Sequence, residues 1–193
     1  MGGNQESPRN LPLLEGPSLV LRRFRDSDTP LILEASADPF IPVLTTVPSK
    51  RDPDEALAYI DRQHGRLTSG EGYSFAIAER TSDEPVGQIG LWLRDFPRGR
   101  VSIGYWVVAR HRRRGIAGEA LQIISSWGVE LPGVHRLELY VEPWNEGSWR
   151  AAERVGYQSE GLLRQWEPVG NEWKDMLMYA LIRPWPSGGA RSV

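Results

Sequence analysis

One stretch limits the possible fold more than any other: Ile103-Gly-Tyr-Trp-Val-Val-Ala-Arg-His-Arg-Arg-Arg-Gly-Ile-Ala-Gly-Glu-Ala120. A β-rich segment runs into a basic turn, and a helix opens directly behind it, with Ile116, Ala120, Ile123, Ile124 and Trp127 at helical spacing. The first turn of a helix offers unpaired N–H groups and partial positive charge, so a junction of this kind suits phosphate. Gly115, Ala117 and Gly118 are small enough to let backbone amides approach a pyrophosphate, and Arg110, Arg112, Arg113 and Arg114 bring charge. The turn is neither a Walker loop, since GxxxxGK[ST] is absent, nor a Rossmann fingerprint, since GxGxxG is absent.

The flanking sequence supplies the rest of an α/β domain. Alternating or β-branched runs predict strands at Leu19–Phe24, Tyr73–Ala78, Val86–Leu93, Val101–Val108, Arg136–Val141, Tyr157–Leu163 and Lys174–Ile182. Ser27-Asp28-Thr29-Pro30 and Asp52-Pro53-Asp54-Glu55 read as helix starts, the first helix running to about Ala37. A later helix spans Asn145–Val155 and stops at Gly156. The order β-α-α-β-β-β-α-β-α-β-β mixes an antiparallel hairpin with crossovers. It predicts a mixed, mostly antiparallel sheet of about seven strands with helices on both faces. The 193 residues suit one domain over 16–183, with a flexible arm over 1–15 and a tail over 184–193.

Composition removes several chemistries. There is no cysteine, which excludes disulfides, thiolate metal sites and a cysteine nucleophile and fits a cytoplasmic protein. Only His64, His111 and His135 are present, without HExxH, so no metal site is expected. No apolar run approaches the ~20 residues of a membrane span. A formal net charge of −2 argues against a general nucleic-acid binder.

Arg112-x-x-Gly115-x-Ala117 matches the Arg/Gln-x-x-Gly-x-Gly/Ala signature of the GNAT superfamily of acyl-CoA-dependent N-acyltransferases. The resemblance extends to the Rim-type ribosomal-protein N-acetyltransferases. Gly16-Pro-Ser-Leu-Val-Leu-Arg22 resembles their opening, with Pro17 and Ser18 where Thr and Arg are usual. Ile103-Gly-Tyr-Trp106 looks like their fourth strand. Asn145-Glu-Gly-Ser148, Ala152-Glu-Arg-Val-Gly-Tyr157 and Glu160-Gly-Leu-Leu-Arg164 resemble their "N-x-x-S … E-K-x-G-F-x-x-E-G-x-x-R" block, with Tyr157 for the usual Phe.

That resemblance implies a GNAT fold splayed between its fourth and fifth strands, with acetyl-CoA or another acyl-CoA as donor and no metal. It implies backbone hydrogen bonds from Val107 and Val108 to the acyl and pantetheine amides. Pyrophosphate would fall on the N–H groups of Arg113, Arg114, Gly115, Ile116, Ala117 and Gly118, beside Arg112. Asn145 would bind the pantetheine arm and Ser148 would stand near the sulfur, able to protonate the leaving thiolate; a cap or turn serine is the plainer reading of Ser148. Glu167 aligns with a carboxylate that would take the amine proton through water, with Glu138 and Glu142 as the other contenders. The acceptor is a primary amine, on a protein N-terminus or a small molecule, attacked directly in a ternary complex; a non-catalytic acyl-CoA-binding sensor is the alternative.

Deprotonating a lysine near pKa 10.4 costs about 4 kcal/mol at neutral pH, against about 1 for an α-amine near 8. With Ser102 and Gly104 where many GNAT enzymes carry a strand carboxylate, the α-amine fits better. His111 reads as a solvated loop residue. Trp106 and Trp127 read as core. Trp144, Trp149, Trp166 and Trp173 cluster towards the acceptor side, as an acceptor wall, a homodimer contact or loop packing, and Trp185 anchors the last strand.

Overall fold

The computed structural model describes residues 10–183; the tail expected over 184–193, with Trp185, lies outside the described residues. One sheet of eight strands has the order β1-β2-β3-β4-β5-β6-β8-β7. The strands are β1 (Leu14–Glu15), β2 (Leu19–Arg22), β3 (Gly72–Glu79), β4 (Pro85–Trp92), β5 (Arg100–Val107), β6 (Arg136–Val141), β7 (Gln158–Val169) and β8 (Glu172–Ile182). Every pairing is antiparallel except β5 with β6. The mixed, mostly antiparallel sheet is therefore as expected, with one strand more. The addition is β1, which lies where the arm was expected and pairs Leu14 with Leu21.

Helices α1 (Thr29–Ala35), α2 (Ile41–Leu44) and α3 (Pro53–Thr68) follow β2, α4 (Ile116–Gly128) follows β5, and α5 (Glu146–Val155) follows β6. The side-chain alternation of the strands splits the apolar residues between two faces. Phe75, Ile77, Ile89, Ile103 and Leu139 join Ala120, Leu121, Ile124 and Ala152 in the core of α4 and α5. Ala76, Trp106 and Val108 meet Leu31, Ile32, Ala56, Tyr59 and Ile60 under α1 and α3. Trp106 is thus core, as expected; Trp127 is partly buried, its ring edge-on to Tyr73 and Phe75.

Local chemistry accounts for the helix ends. The Asp52 carboxylate accepts the N–H groups of Asp54 and Glu55 at the start of α3. Asn145 is the cap of α5, its side chain accepting from the Ser148 N–H at 3.3 Å. The cap at this helix is therefore Asn145, and Ser148 lies inside the first turn. Gly156 closes α5 at φ 99°, a left-handed conformation that a side chain would strain. No helix among the described residues is long and apolar enough to cross a membrane.

The placement of the site follows from β5 and β6. They pair only over Arg100–Arg136, Val101–Leu137 and Ser102–Glu138. Beyond Ser102 the two strands part, leaving a wedge in the middle of the sheet that the sequence reading anticipated.

Candidate functional site

The basic turn leaves β5 through one 3-10 turn, Ala109–His111, and reaches Gly115 at φ 80°, with Arg113 also left-handed at φ 60°. An ideal Cβ on Gly115 or Gly118 would meet nothing within 4 Å, because both face open space. The residues from Arg112 to Gly118, except Arg114, line a cavity of about 870 Å³ that runs between the start of α4 and α5. The cavity thus opens at the strand–helix junction that the sequence singles out.

Its arginines are engaged differently from the expectation. Arg110 binds Glu34 and Glu84. Arg112 donates to Asp38 at 2.6 Å and, through Nε, to the carbonyl of Val107 at 2.9 Å. Arg114 faces Glu79 at 3.8 Å. Of the four, Arg113 alone has no carboxylate partner among the described residues. His111 is buried rather than solvated, at 4% exposure, with Arg110 and Arg114 against its two ring nitrogens. Most of the turn's charge is thus neutralised from behind, so that ion pairs hold the backbone in place. Two cavity-lining cations were missed: Arg150 and Arg154 of α5. With Gly147 and Ala151 they recur at helical spacing on one face, a periodicity visible in the sequence.

The wedge itself carries the polar backbone. The Val108 N–H donates to Val86 at 3.1 Å, and its carbonyl accepts from the His111 N–H at 3.0 Å. Both Val108 backbone groups thus have a partner within the chain, which leaves only the second lone pair of its carbonyl for a pantetheine amide. In an antiparallel ladder, groups pointing to one neighbour alternate with groups pointing away. Since Val108 donates to β4, the N–H of Val107 points away from β4 into the wedge. It is the better backbone donor of the two.

A second cavity, about 340 Å³, lies on the α3 side of the wedge. The two cavities share six residues: Leu44, Thr45, Tyr105, Trp106, Asn145 and Ser148. Ser148 therefore stands where they meet, beside Asn145. Tyr105, not singled out in the sequence, donates its hydroxyl to the Ser148 carbonyl at 3.3 Å. Burial pushes the Tyr105 pKa up and keeps it a protonated donor.

The carboxylate contenders separate clearly. Glu138 is 2% exposed and accepts from Arg136 Nε at 2.7 Å and from the Tyr140 hydroxyl at 2.8 Å. It is a buried counter-ion, walled off from the smaller cavity, and is removed as a base candidate. Burial, followed by the hydrogen bond to Glu138, pushes the Tyr140 pKa up. Glu142 lines the smaller cavity and accepts from Trp144 Nε1 at 2.8 Å. Glu167 also lines it, exposed, on β7 opposite Lys174. The strand reaches it past an irregularity between Leu163 and Glu167, where Gln165 takes φ 48°.

The tryptophans expected around the acceptor are divided. Trp166 stacks on Tyr140, 5.7 Å between ring centroids. Trp144 packs against Phe40 over the larger cavity instead. Trp149 is partly buried and Trp173 is 64% exposed.

A wedge in a mixed sheet, a helix N-terminus at its mouth and two cavities meeting in its middle form a site with room for two substrates to meet. Residues 18–158 match the model of the acetyltransferase (GNAT) domain family, and the chain belongs to that family. It is an acyl-CoA-dependent N-acetyltransferase. It is 28% identical to the uncharacterised N-acetyltransferase p20 of Bacillus licheniformis, over 86% of this chain and 93% of that protein. It is 28% identical to the ribosomal-protein-serine acetyltransferase of Escherichia coli, over 58% of this chain and 62% of that enzyme. The fold superposes on Mycobacterium smegmatis RimJ in complex with CoA-disulfide with a TM-score of 0.73 at 23% identity, covering 89% of this chain and 86% of that one. Among the described residues there is no cluster of ligands able to hold a metal.

Proposed function

We propose that acetyl-CoA is the donor and a polypeptide α-amine the acceptor, joined by direct attack in a ternary complex. The observation that carries this reading is the meeting of the two cavities at Tyr105 and Ser148. The donor occupies the larger cavity, with its pyrophosphate on the amides from Arg113 to Gly118 and charge supplied by Arg113, Arg150 and Arg154. The open space beside Gly115 and Gly118 supports that fit. Asn145 bonds the pantetheine arm.

The amine enters from the smaller cavity. Its proton leaves through water to Glu167 or Glu142, the two carboxylates on that cavity's wall. Attack on the thioester carbon forms the C–N bond and places charge on the carbonyl oxygen, which the Val107 N–H meets. Collapse breaks the C–S bond, and Ser148 delivers a proton to the sulfur, directly or through water. A site whose carboxylates take the proton through water is matched to an amine that needs little help, which favours an α-amine over a lysine.

The test is thiol release from acetyl-CoA with four probe amines: peptides beginning in Ser or Ala, an Nα-blocked lysine peptide, spermidine and an aminoglycoside. Turnover confined to the free N-terminal peptides is expected. Preference for the blocked lysine peptide or for a small amine overturns the acceptor assignment. With the acceptor in hand, Glu167→Gln and Glu142→Gln identify the base by which one removes the acid limb of the pH–rate profile.

A further inference from the structure

Backbone pairing between β5 and β6 ends at Ser102 and Glu138, so no ladder fixes how far apart the strands stand at the reaction centre. Tyr105 lies three residues beyond that last pair, at the neck between the two cavities. From β5 its hydroxyl reaches the first turn of α5 and donates to the Ser148 carbonyl at 3.3 Å. α5 follows directly from β6, so this hydrogen bond ties the two sides of the wedge where the ladder no longer does. Burial raises the pKa of the phenol, so the donor persists through the neutral range.

Resting on the donor reading above, we propose that the Tyr105 hydroxyl is a crossbar that sets the width of the wedge and thereby admits a short acyl group while excluding branched or longer ones. The neck is walled by Leu44, Thr45, Trp106 and Asn145 as well, and Trp106 is packed into the core beneath α1 and α3. The neck's span therefore depends on how far the start of α5 stands from β5, which the crossbar holds. The same bond fixes the turn that carries Ser148, so Tyr105 acts as a positioning residue for the proton donor and a specificity determinant for the acyl chain.

The experiment is calorimetric titration of the full chain and of Tyr105→Phe with CoA, acetyl-CoA, propionyl-CoA and isobutyryl-CoA. Apolar pockets discriminate by roughly 10-fold or more for each added methylene that does not fit. The wild type is expected to bind propionyl-CoA roughly 10-fold more weakly than acetyl-CoA, and isobutyryl-CoA more weakly still. In Tyr105→Phe the propionyl ratio is expected to fall to about 2-fold. A wild type that binds all acyl chains equally overturns the crossbar, and needs no variant to do so. A ratio unchanged in Tyr105→Phe overturns it as well. A wild type that binds no CoA overturns the donor reading instead, so the two failures are distinct. A general loss of stability in Tyr105→Phe would weaken all four ligands alike and leave the ratio where it was.

Discussion

Arg112 and Asp38 form an ion pair of 2.6 Å across 74 residues of chain, and the same guanidinium holds the carbonyl of Val107. The arginine of the family signature is therefore a strap in this protein. It fastens the end of β5 and the phosphate turn to the loop before α2. Asp38 is a fixed partner, its side chain 5% exposed and its Oδ1 accepting the N–H groups of Phe40 and Ile41.

Asp38→Asn separates a strap from a phosphate ligand. Freeing an arginine that bound phosphate would raise donor affinity. Loosening a strap lowers it, by about 10-fold if one charge-assisted hydrogen bond is lost. Calorimetry with acetyl-CoA is expected to show the decrease. Arg112→Ala is expected to cost more stability than Asp38→Asn, about 1–2 kcal/mol, because it leaves the Asp38 carboxylate with only its backbone partners.

Gly118→Asp should uncouple stability from binding. The position has helical geometry in the first turn of α4, where an acidic side chain complements the dipole, and a Cβ there meets nothing. Melting is expected to stay level or rise slightly. Acetyl-CoA affinity is expected to fall by roughly 100-fold, as a carboxylate now faces the pyrophosphate. A stable variant that still binds would remove the α4 N-terminus from the donor site.

Ser148→Ala should lower kcat by about 100-fold, the lower end for a general acid, with little change in acetyl-CoA affinity. The deficit is expected to shrink with an activated acetyl thioester whose leaving thiol has a low pKa, since that thiolate needs no proton. An equal deficit with both donors would argue against a proton-donor role.

Glu84 supplies a pH dependence. The hydrogen bond from Arg110, opposed by slight desolvation, holds its carboxyl below the usual range. Its contribution to stability is therefore complete above the ordinary carboxylate value, about 4.3, and is lost as pH falls through the lower folded value. Glu84→Gln is expected to melt slightly below the wild type at neutral pH, the effect being small because the pair is exposed. The two curves should converge in acid; a gap that persists at low pH would assign the loss to packing.

The parts of the site legible in the sequence are those encoded by near neighbours in the chain. The strand-to-helix junction at Gly115, the helix behind it and the helix stopped by Gly156 each have a local chemical reason. What was hidden depends on residues far apart. Glu138 alternates along its strand as a base candidate would, and Arg136, which with Tyr140 makes it a counter-ion, is itself held by the distant Glu160. His111 sits in a run of arginines that suggests solvent, until Glu34, Glu79 and Glu84 draw those arginines inward. Tyr105 passed for one more apolar residue of a strand, because its hydrogen bond crosses to residue 148. The short helix α2, Ile41–Leu44, has too few residues to display a period.

Glu119 is a carboxylate in the first turn of α4 and lines the donor cavity. There it accepts from the N–H groups of Ser18 and Leu19 and from the Ser18 hydroxyl. The opening of β2 thus holds this carboxylate in place through three hydrogen bonds. A chain trimmed to begin after Leu19 would keep every residue assigned to the donor and lose all three of these hydrogen bonds, so the frame of that cavity reaches back almost a hundred residues from the motif.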